Sequence, residues 1–272
     1  MPHTSPQGIL VALGGGDDEE MLNRLAAMVP DMATTPIEIV TTASPEPGRS
    51  GKAYVNAFCD LGCEEVHHLR IDERHPADLP AHLERLSRAG LVFFTGGDQE
   101  RITEFWENTQ ALATLIDRYR HDPAFIVAGT SAGAAVMPSC MIVEGHGARS
   151  LTKGGLRTAG GLGLISELYI DQHFAERGRF GRLAHAVLQR PTRLGLGLGQ
   201  ETGIIIRGGQ EAEVFGDGVV MVVDGKNLQG SNLGQLSRGE PVAGQELRVH
   251  LLVSGQRLDL RSRQVLNDQA EA

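Results

Sequence analysis

Short apolar runs alternate with helical patterns through the first half of the chain. Residues 22–28, 54–61 and 101–119 show the spacing of apolar positions that is typical of helices. The runs predicted to be strands are residues 9–13, 37–41, 64–69, 91–95 and 125–128. Strand and helix units in succession favour a mainly parallel sheet that is covered by helices on both faces.

The pattern changes after about Gly208, where short alternating runs replace the helices. Residues 219–223, 247–253 and 258–260 are predicted strands of antiparallel hairpins. No linker or low-complexity segment precedes them, so we expect them to extend or cover the sheet. The expected fold is α/β, a three-layer α/β/α arrangement with a mainly parallel sheet and antiparallel hairpins near the C-terminus, in a single domain over residues 1–272.

Composition limits the partners more than the fold. The formal net charge of -9 disfavours nucleic acid, because such binders concentrate Lys and Arg against the phosphates. The three cysteines form no CxxC pair, so neither a disulfide framework nor a metal site is expected. No run approaches the roughly 20 apolar residues that span a bilayer. We therefore expect a cytoplasmic protein with no membrane partner.

The glycine turn at residues 14–16 is followed by the acidic residues 17–20. It has neither the GxGxxG nor the GxxxxGKS spacing of nucleotide-binding loops. We therefore expect no cofactor.

The segment Gly129-Thr130-Ser131-Ala132-Gly133 fits the pattern GxSxG between a predicted strand and small, helix-compatible residues. A strand that reverses sharply into a helix exposes the central serine, and glycines on either side remove side chains that would clash. Ser131 is therefore the candidate nucleophile of a hydrolase. The alternative is a tightly packed strand-helix turn without catalytic function.

An acyl-transfer site also needs N–H donors for the developing oxyanion. The N–H of Ala132 is one candidate because it opens the helix after Ser131. A second donor is predicted from the glycine-rich turn after residues 91–95, at Gly97 or Asp98.

His173 is the candidate base, because it follows an apolar run and opens a cluster of polar residues. A serine hydroxyl needs such a base within hydrogen-bond reach. Arg177, Arg179 and Arg182 follow, and guanidinium groups near a catalytic histidine suggest recognition of a carboxylate. The alternatives are a capping or core histidine and a solvated or ion-paired arginine surface.

These segments together resemble the cyanophycinase family of serine peptidases, which share a fold with class I glutamine amidotransferases and are related to peptidase E. The matching segments occur in the family's order over nearly the whole chain: residues 39–44, 94–99, 129–134, 171–174 with the arginines that follow, and 222–225.

The resemblance implies hydrolysis of cyanophycin, multi-L-arginyl-poly-L-aspartate, to β-Asp-Arg dipeptides, with Ser131 as nucleophile and His173 as base. It also implies a homodimer. The positions that match the family's substrate pocket are Gln99, Asp171, Gln172, Arg177, Arg179 and Arg182.

The chain departs from the family at the third member of the triad. The family usually has a glutamate where this sequence has Gln200. A glutamine carbonyl can hold the histidine tautomer but cannot stabilise the imidazolium by charge. Either activity is reduced, or Glu201 or Asp171 takes the place of the acid.

Three other functions stay open on the sequence. The substrate can be a short isoaspartyl or aspartyl peptide, or the chain can be a silent or weakly active relative that binds arginine-rich polymer. An esterase of the α/β-hydrolase fold also has GxSxG, but its base usually lies late in the chain. Here only His250 is late, within a predicted strand.

Overall fold

The computed structural model describes residues 5–16 and 19–266. Its larger sheet has nine strands in the order β15-β14-β11-β10-β1-β5-β4-β2-β3. Five neighbouring strands are parallel: β1 (Ile9–Leu13), β2 (Ile37–Val40), β3 (Val66–Leu69), β4 (Leu91–Phe94) and β5 (Ile126–Thr130). The antiparallel strands are β10 (Thr202–Arg207), β11 (Glu211–Gly216), β14 (Arg257–Asp259) and β15 (Gln264–Leu266).

A second sheet of four strands has the order β13-β12-β9-β8. Its members are β8 (Leu168–Asp171), β9 (Leu194–Leu198), β12 (Val220–Asp224) and β13 (Arg248–Leu252). Strands β8 and β9 are parallel, whereas β12 pairs antiparallel with both β9 and β13. A small hairpin joins β6 (Cys140–Glu144) to β7 (Arg157–Gly160).

Helices cover both faces of the larger sheet. They are α1 (Glu19–Ala26), α2 (Pro47–Asp60), α3 (Pro80–Arg88), α4 (Gln99–Trp106), α5 (Gln110–His121), α6 (Ala132–Ala135) and α7 (Phe180–Gln189), with a 3₁₀ helix at Gly147–Leu151. Alternate residues of β1 show the layering. Val11 packs in the core that includes Met21 of α1, and Leu10 packs in the core that includes Trp106 of α4.

The predicted fold class is confirmed. Helices flank a sheet that contains the expected parallel strands, and antiparallel strands follow near the C-terminus. The late strands extend the larger sheet through β14 and complete the second sheet through β12 and β13. The single domain over residues 1–272 stays a prediction. The acidic residues 17 and 18 lie outside the described residues.

Two predicted helices differ from those in the structure. The long helix predicted over residues 101–119 is divided, because Asn108 has φ 61° and ends α4, and the Thr109 side chain accepts the N–H of Leu112 to begin α5. Helix α2 begins at Pro47, ahead of the helix predicted over residues 54–61. Proline fits the first turn of a helix, where its missing N–H has no intrahelical partner.

Candidate active site

Ser131 occupies a strained turn between β5 and α6, with φ 52° and ψ -110°. A Cβ on Gly129 would lie 2.6 Å from the carbonyl carbon of Gly133, and one on Gly133 would lie 2.2 Å from the carbonyl oxygen of Phe94. The Ser131 N–H donates to Leu13 O of the neighbouring strand at 3.0 Å. Only glycine fits at 129 and 133, and the turn presents the hydroxyl at the carboxyl end of the sheet.

His173 lies beside Ser131, with its Nε2 at 3.0 Å from Ser131 Oγ. It follows β8 with φ 48°, and its N–H donates to Gly14 O at 2.9 Å. The imidazole rests against the glycine turn: a Cβ on Gly15 would lie 2.1 Å from His173 Cε1 and 2.7 Å from Nε2. The turn therefore sets the position of the ring as well as of its backbone.

Gln200 lies at the other side of the imidazole. Strands β8 and β9 are parallel, so their carboxyl ends carry His173 and Gln200 to the same edge. The amide nitrogen of Gln200 is 3.0 Å from His173 Nδ1. Rotation of the amide about its last bond puts Oε1 there instead, and only that orientation accepts Nδ1–H and leaves Nε2 free to take the serine proton.

Neither carboxylate that was weighed as the third member hydrogen-bonds to His173 in the described residues. Glu201 has φ 52°, donates its N–H to Gly15 O at 2.9 Å and lies with its Cγ beside Gly16. Asp171 is directed to the arginines that follow it. Of the three residues considered from the sequence, the structure brings Gln200 to Nδ1.

The candidate oxyanion donors are the N–H groups of Gly97 and Ala132, which donate to no acceptor within residues 5–16 and 19–266. A Cβ on Gly96 would lie 3.3 Å from Ser131 Cβ, which places the loop after β4 against the nucleophile. The Asp98 N–H donates to Ala43 O at 2.9 Å. The alternative that placed Asp98 in the oxyanion hole is corrected, because its N–H is already engaged.

Asp171 is the centre of a buried ionic cluster and is 1% exposed. Its Oδ2 accepts from Arg182 Nε at 2.6 Å, and its Oδ1 accepts from Arg179 Nη1 at 3.2 Å and from the Gln172 N–H at 3.0 Å. Arg182 is 3% exposed. Two guanidinium groups therefore face one carboxylate, and the cluster keeps an excess of positive charge.

A cavity of about 120 Å³ lies against this cluster. It is lined by Gly145, His146, Gly147, Ser150, Arg177, Gly178, Arg179 and Arg182. The Arg177 side chain is exposed and takes part in no ion pair among the described residues. Arg177 is therefore the guanidinium most available to a ligand.

The other predicted pocket residues hold the walls together. The Arg179 guanidinium donates to Gln172 O at 2.6 Å and also to the Gln172 side chain. Burial lowers the pKa of Arg179 to about 10. The Gln99 side chain donates to Ile142 O at 3.1 Å and fixes α4 to β6.

The same charges act on His173. Burial lowers the pKa of the imidazole below its ordinary value, and Arg177 and Arg179 lower it further, against the opposite effect of Glu176 and Asp171. A lowered pKa keeps the ring neutral near pH 7. Neutral imidazole is the form that a general base requires.

A groove of about 700 Å³ between α2 and the edge strand β3 is lined by no predicted site residue. No group of three or more His, Cys, Asp and Glu side chains is placed to hold a metal ion in the part of the chain that the structure describes. No described helix is both long enough and apolar enough to cross a bilayer.

Two residues of the site were missed from the sequence. Gly15 was considered only as part of a nucleotide-binding loop, although its lack of a side chain admits the His173 ring. Glu176 accepts the N–H of Gln200 through Oε1 at 3.1 Å. One sequence gives no signal for either contact, because each joins segments that are distant along the chain.

Known proteins resemble this chain over most of its length. The sequence profile of peptidase family S51 matches residues 9–214. The cyanophycinase of Synechococcus elongatus is 32% identical over 269 residues, which cover 97% of this chain and 82% of the relative. The cyanophycinase of Trichormus variabilis is 35% identical over 269 residues, which cover 97% of this chain and 89% of the relative.

Solved structures show the same fold. A peptidase from an acI-B1 Actinobacterium superposes with a TM-score of 0.67 at 21% identity, covering 94% of this chain and 98% of the other. A putative peptidase E protein from Listeria monocytogenes EGD-e gives 0.53 at 16% identity, covering 77% and 98%.

The family match gives the class, a serine peptidase, and a strained serine with a histidine at hydrogen-bond distance is the arrangement that such a class needs. The extent of the profile match and the identity to the two cyanophycinases then give the family. The chain belongs to peptidase family S51.

Gly15→Ala is expected to lower the rate at which Ser131 reacts with a serine-directed phosphonate by about 100-fold. The reason is that a displacement of the His173 ring by about 1 Å can cost that much. The added Cβ cannot share the space of the His173 ring. The measurement is the rate at which a serine-directed phosphonate labels the protein.

The matched control is Gly62→Ala. Gly62 has φ +94° against +103° at Gly15, but a Cβ there would meet nothing within 4 Å. Both variants carry backbone strain, so both are expected to lose some thermal stability, while only Gly15→Ala loses labelling. Equal labelling in the two variants would contradict the assignment.

The pH profile of kcat/KM is expected to have its acidic limb below the ordinary histidine pKa of about 6.5. Because the pKa of His173 is lowered by burial and by Arg177, activity is kept at pH 6.5 and is lost as the pH falls through the lowered value. Arg177→Gln is expected to move the limb upwards. An acidic limb above 6.5 in the unaltered protein would refute the prediction.

Proposed function

We propose that this peptidase hydrolyses cyanophycin and releases β-Asp-Arg dipeptides through an acyl-enzyme on Ser131. The observation that carries the proposal is the 3.0 Å contact between Ser131 Oγ and His173 Nε2 at the strained turn. Relatives with the name cyanophycinase are 32% and 35% identical over 97% of the chain, and that name is the basis for the proposed substrate.

The proposed reaction has two halves. Ser131 Oγ attacks the scissile carbonyl carbon while His173 Nε2 takes its proton, and the oxyanion accepts from the Gly97 and Ala132 N–H groups. The imidazolium then protonates the departing amine, which leaves an ester on Ser131. A water molecule, deprotonated by His173, hydrolyses that ester and restores the hydroxyl.

The cavity beside Asp171 is proposed to hold a carboxylate of the aspartyl unit. Its arginines exceed the single buried carboxylate, and the Arg177 guanidinium is exposed at its wall. In this arrangement the pocket is shaped by the mutual contacts of four residues: Asp171, Gln172, Arg179 and Arg182. Gln99 fixes α4 to β6, the strand that precedes the lining residue Gly145.

Two alternatives remain proposals beside the first. A cavity of about 120 Å³ takes a single aspartyl unit, which suits short isoaspartyl or aspartyl peptides as well as the end of a polymer. The neutral Gln200 beside His173 supports a weakly active relative that binds arginine-rich polymer. A homodimer and a cytoplasmic location, both expected from the sequence, stay predictions.

Ser131→Ala is expected to lower release of β-Asp-Arg from cyanophycin by at least about 10³-fold, since loss of a catalytic serine removes the acyl route. Ser87→Ala, an exposed serine of α3, is the matched control. Mass spectrometry of the soluble products measures the release, in parallel with isoaspartyl and aspartyl dipeptides.

The panel separates the proposals. Hydrolysis of the dipeptides without the polymer would favour the short-peptide function, and binding of polymer with no hydrolysis and no phosphonate labelling of Ser131 would favour the silent relative. Full activity in Ser131→Ala would reject the nucleophile.

Arg177→Gln is expected to raise KM for aspartyl substrates by at least about tenfold, because a charge-assisted hydrogen bond to a carboxylate is worth about 1.5 to 3 kcal/mol. The assay is run at pH 8, where His173 is neutral in both proteins. An analogue with that carboxylate amidated should show no difference between them. A carboxylate-independent rise in KM would contradict the proposed contact.

A further inference from the structure

The carboxylate of Glu176 lies beside Gln200. Glu176 follows His173 in the turn between β8 and α7, and its Oε1 accepts the backbone N–H of Gln200 at 3.1 Å. The Gln200 side chain in turn lies 3.0 Å from His173 Nδ1. Glu176 and the amide therefore stand on the same side of the imidazole.

The proposed reaction creates a positive charge on His173, which burial of the imidazole disfavours. Arg177 and Arg179 oppose the charge. Asp171 is shared by two arginines. Gln200, the neighbour at Nδ1, is neutral.

Other carboxylates near the glycine turn need to be distinguished. Glu201 is exposed, lies with its Cγ beside Gly16 and makes no hydrogen bond to His173 among the described residues. Asp17 and Asp18 follow the turn in sequence but are outside the described residues. Glu176 is exposed and enters no ion pair with any residue that the structure describes.

We infer that Glu176 is a positioning residue that supplies the negative charge of this site, acting on His173 across Gln200. Gln200 provides the hydrogen bond that selects the tautomer, and Glu176 provides the charge that stabilises the imidazolium. The inference rests on the proposed function of Ser131 and His173. Glu176 exchanges no proton in it: the proton moves from Ser131 Oγ to His173 Nε2 and then to the leaving amine.

Two observations support this division of roles. Glu176 Oε1 accepts the Gln200 N–H at 3.1 Å, and this hydrogen bond holds the carboxylate beside the segment that carries the amide. Glu176 also raises the pKa of His173 more than Asp171 does, although Asp171 is closer along the chain. Among the residues that the structure describes, no arginine pairs with the exposed Glu176 carboxylate to cancel its field.

The test compares Glu176→Gln, Gln200→Glu and the double variant E176Q/Q200E in the full chain. Glutamine at 176 keeps an oxygen for the Gln200 N–H and removes the charge. Glu64→Gln, an exposed glutamate before β3, is the matched control for loss of one charge. Each protein is measured by NMR titration of His173, assigned with a His173→Gln sample, and by steady-state kinetics at pH 8.

Glu176→Gln is expected to lower the pKa of His173 by up to about one unit, since an opposite charge nearby favours the charged form. A shift of one unit corresponds to a tenfold change in the equilibrium, so kcat should fall about tenfold with KM and thermal midpoint unchanged. The double variant should regain both the pKa of His173 and kcat. It restores the negative charge at position 200, whose side chain contacts His173 Nδ1.

Three outcomes would overturn the inference. One is an unchanged pKa and kcat in Glu176→Gln. Another is a loss that Q200E does not rescue, which would indicate a structural role alone. The third is an equal fall of the His173 pKa in Glu201→Gln, which would assign the charge to Glu201.

Failure of the proposed function gives a different result. If Ser131 is not labelled by the phosphonate in the unaltered protein, the reaction itself is rejected, whereas the NMR titration still reports whether Glu176 acts on His173.

Discussion

The contact between the glycine turn and His173 holds the site together, because it joins the two sheets. Gly14 follows β1 of the larger sheet, and its carbonyl accepts the His173 N–H, while Gly15 O accepts the N–H of Glu201. The serine comes from one sheet, and the histidine and Gln200 come from the other. A side chain at position 15 would push the imidazole away from Ser131. The contact between these two candidate catalytic residues therefore depends on the absence of a side chain at Gly15.

The buried ionic cluster is the second constraint. A carboxylate that is 1% exposed would be very costly without its partners, and loss of one partner of such a pair typically costs about 3 to 5 kcal/mol. The arginines that stabilise Asp171 also set the field around it. Burial lowers the pKa of His173, and Arg177 and Arg179 lower it further. The same excess of positive charge would favour an anionic ligand in the cavity. The charges that would suit an anionic substrate would therefore oppose the imidazolium of the proposed reaction.

Local sequence signals predicted the parts of the structure that depend on local chemistry. The alternation of apolar runs and helical patterns predicted the parallel half of the larger sheet, and GxSxG predicted the turn at Ser131. The division between α4 and α5 was missed, since Asn108 in a left-handed conformation has no clear signature within a long helical pattern. The assignment of strands to two sheets, the engagement of the Asp98 N–H and the role of Gly15 all depend on contacts between distant segments, which one sequence does not reveal.

A glutamine in the place of a triad acid changes two physical properties at once. A carboxylate presents an acceptor in either orientation, but an amide presents an acceptor on one side and a donor on the other, so half of its orientations select the wrong imidazole tautomer. The amide also adds no charge against Arg177 and Arg179. The first property is local and needs a fixed amide, and the second acts through space and needs only a nearby carboxylate. The two requirements can therefore be met by different residues, which is the arrangement that Gln200 and Glu176 present around His173.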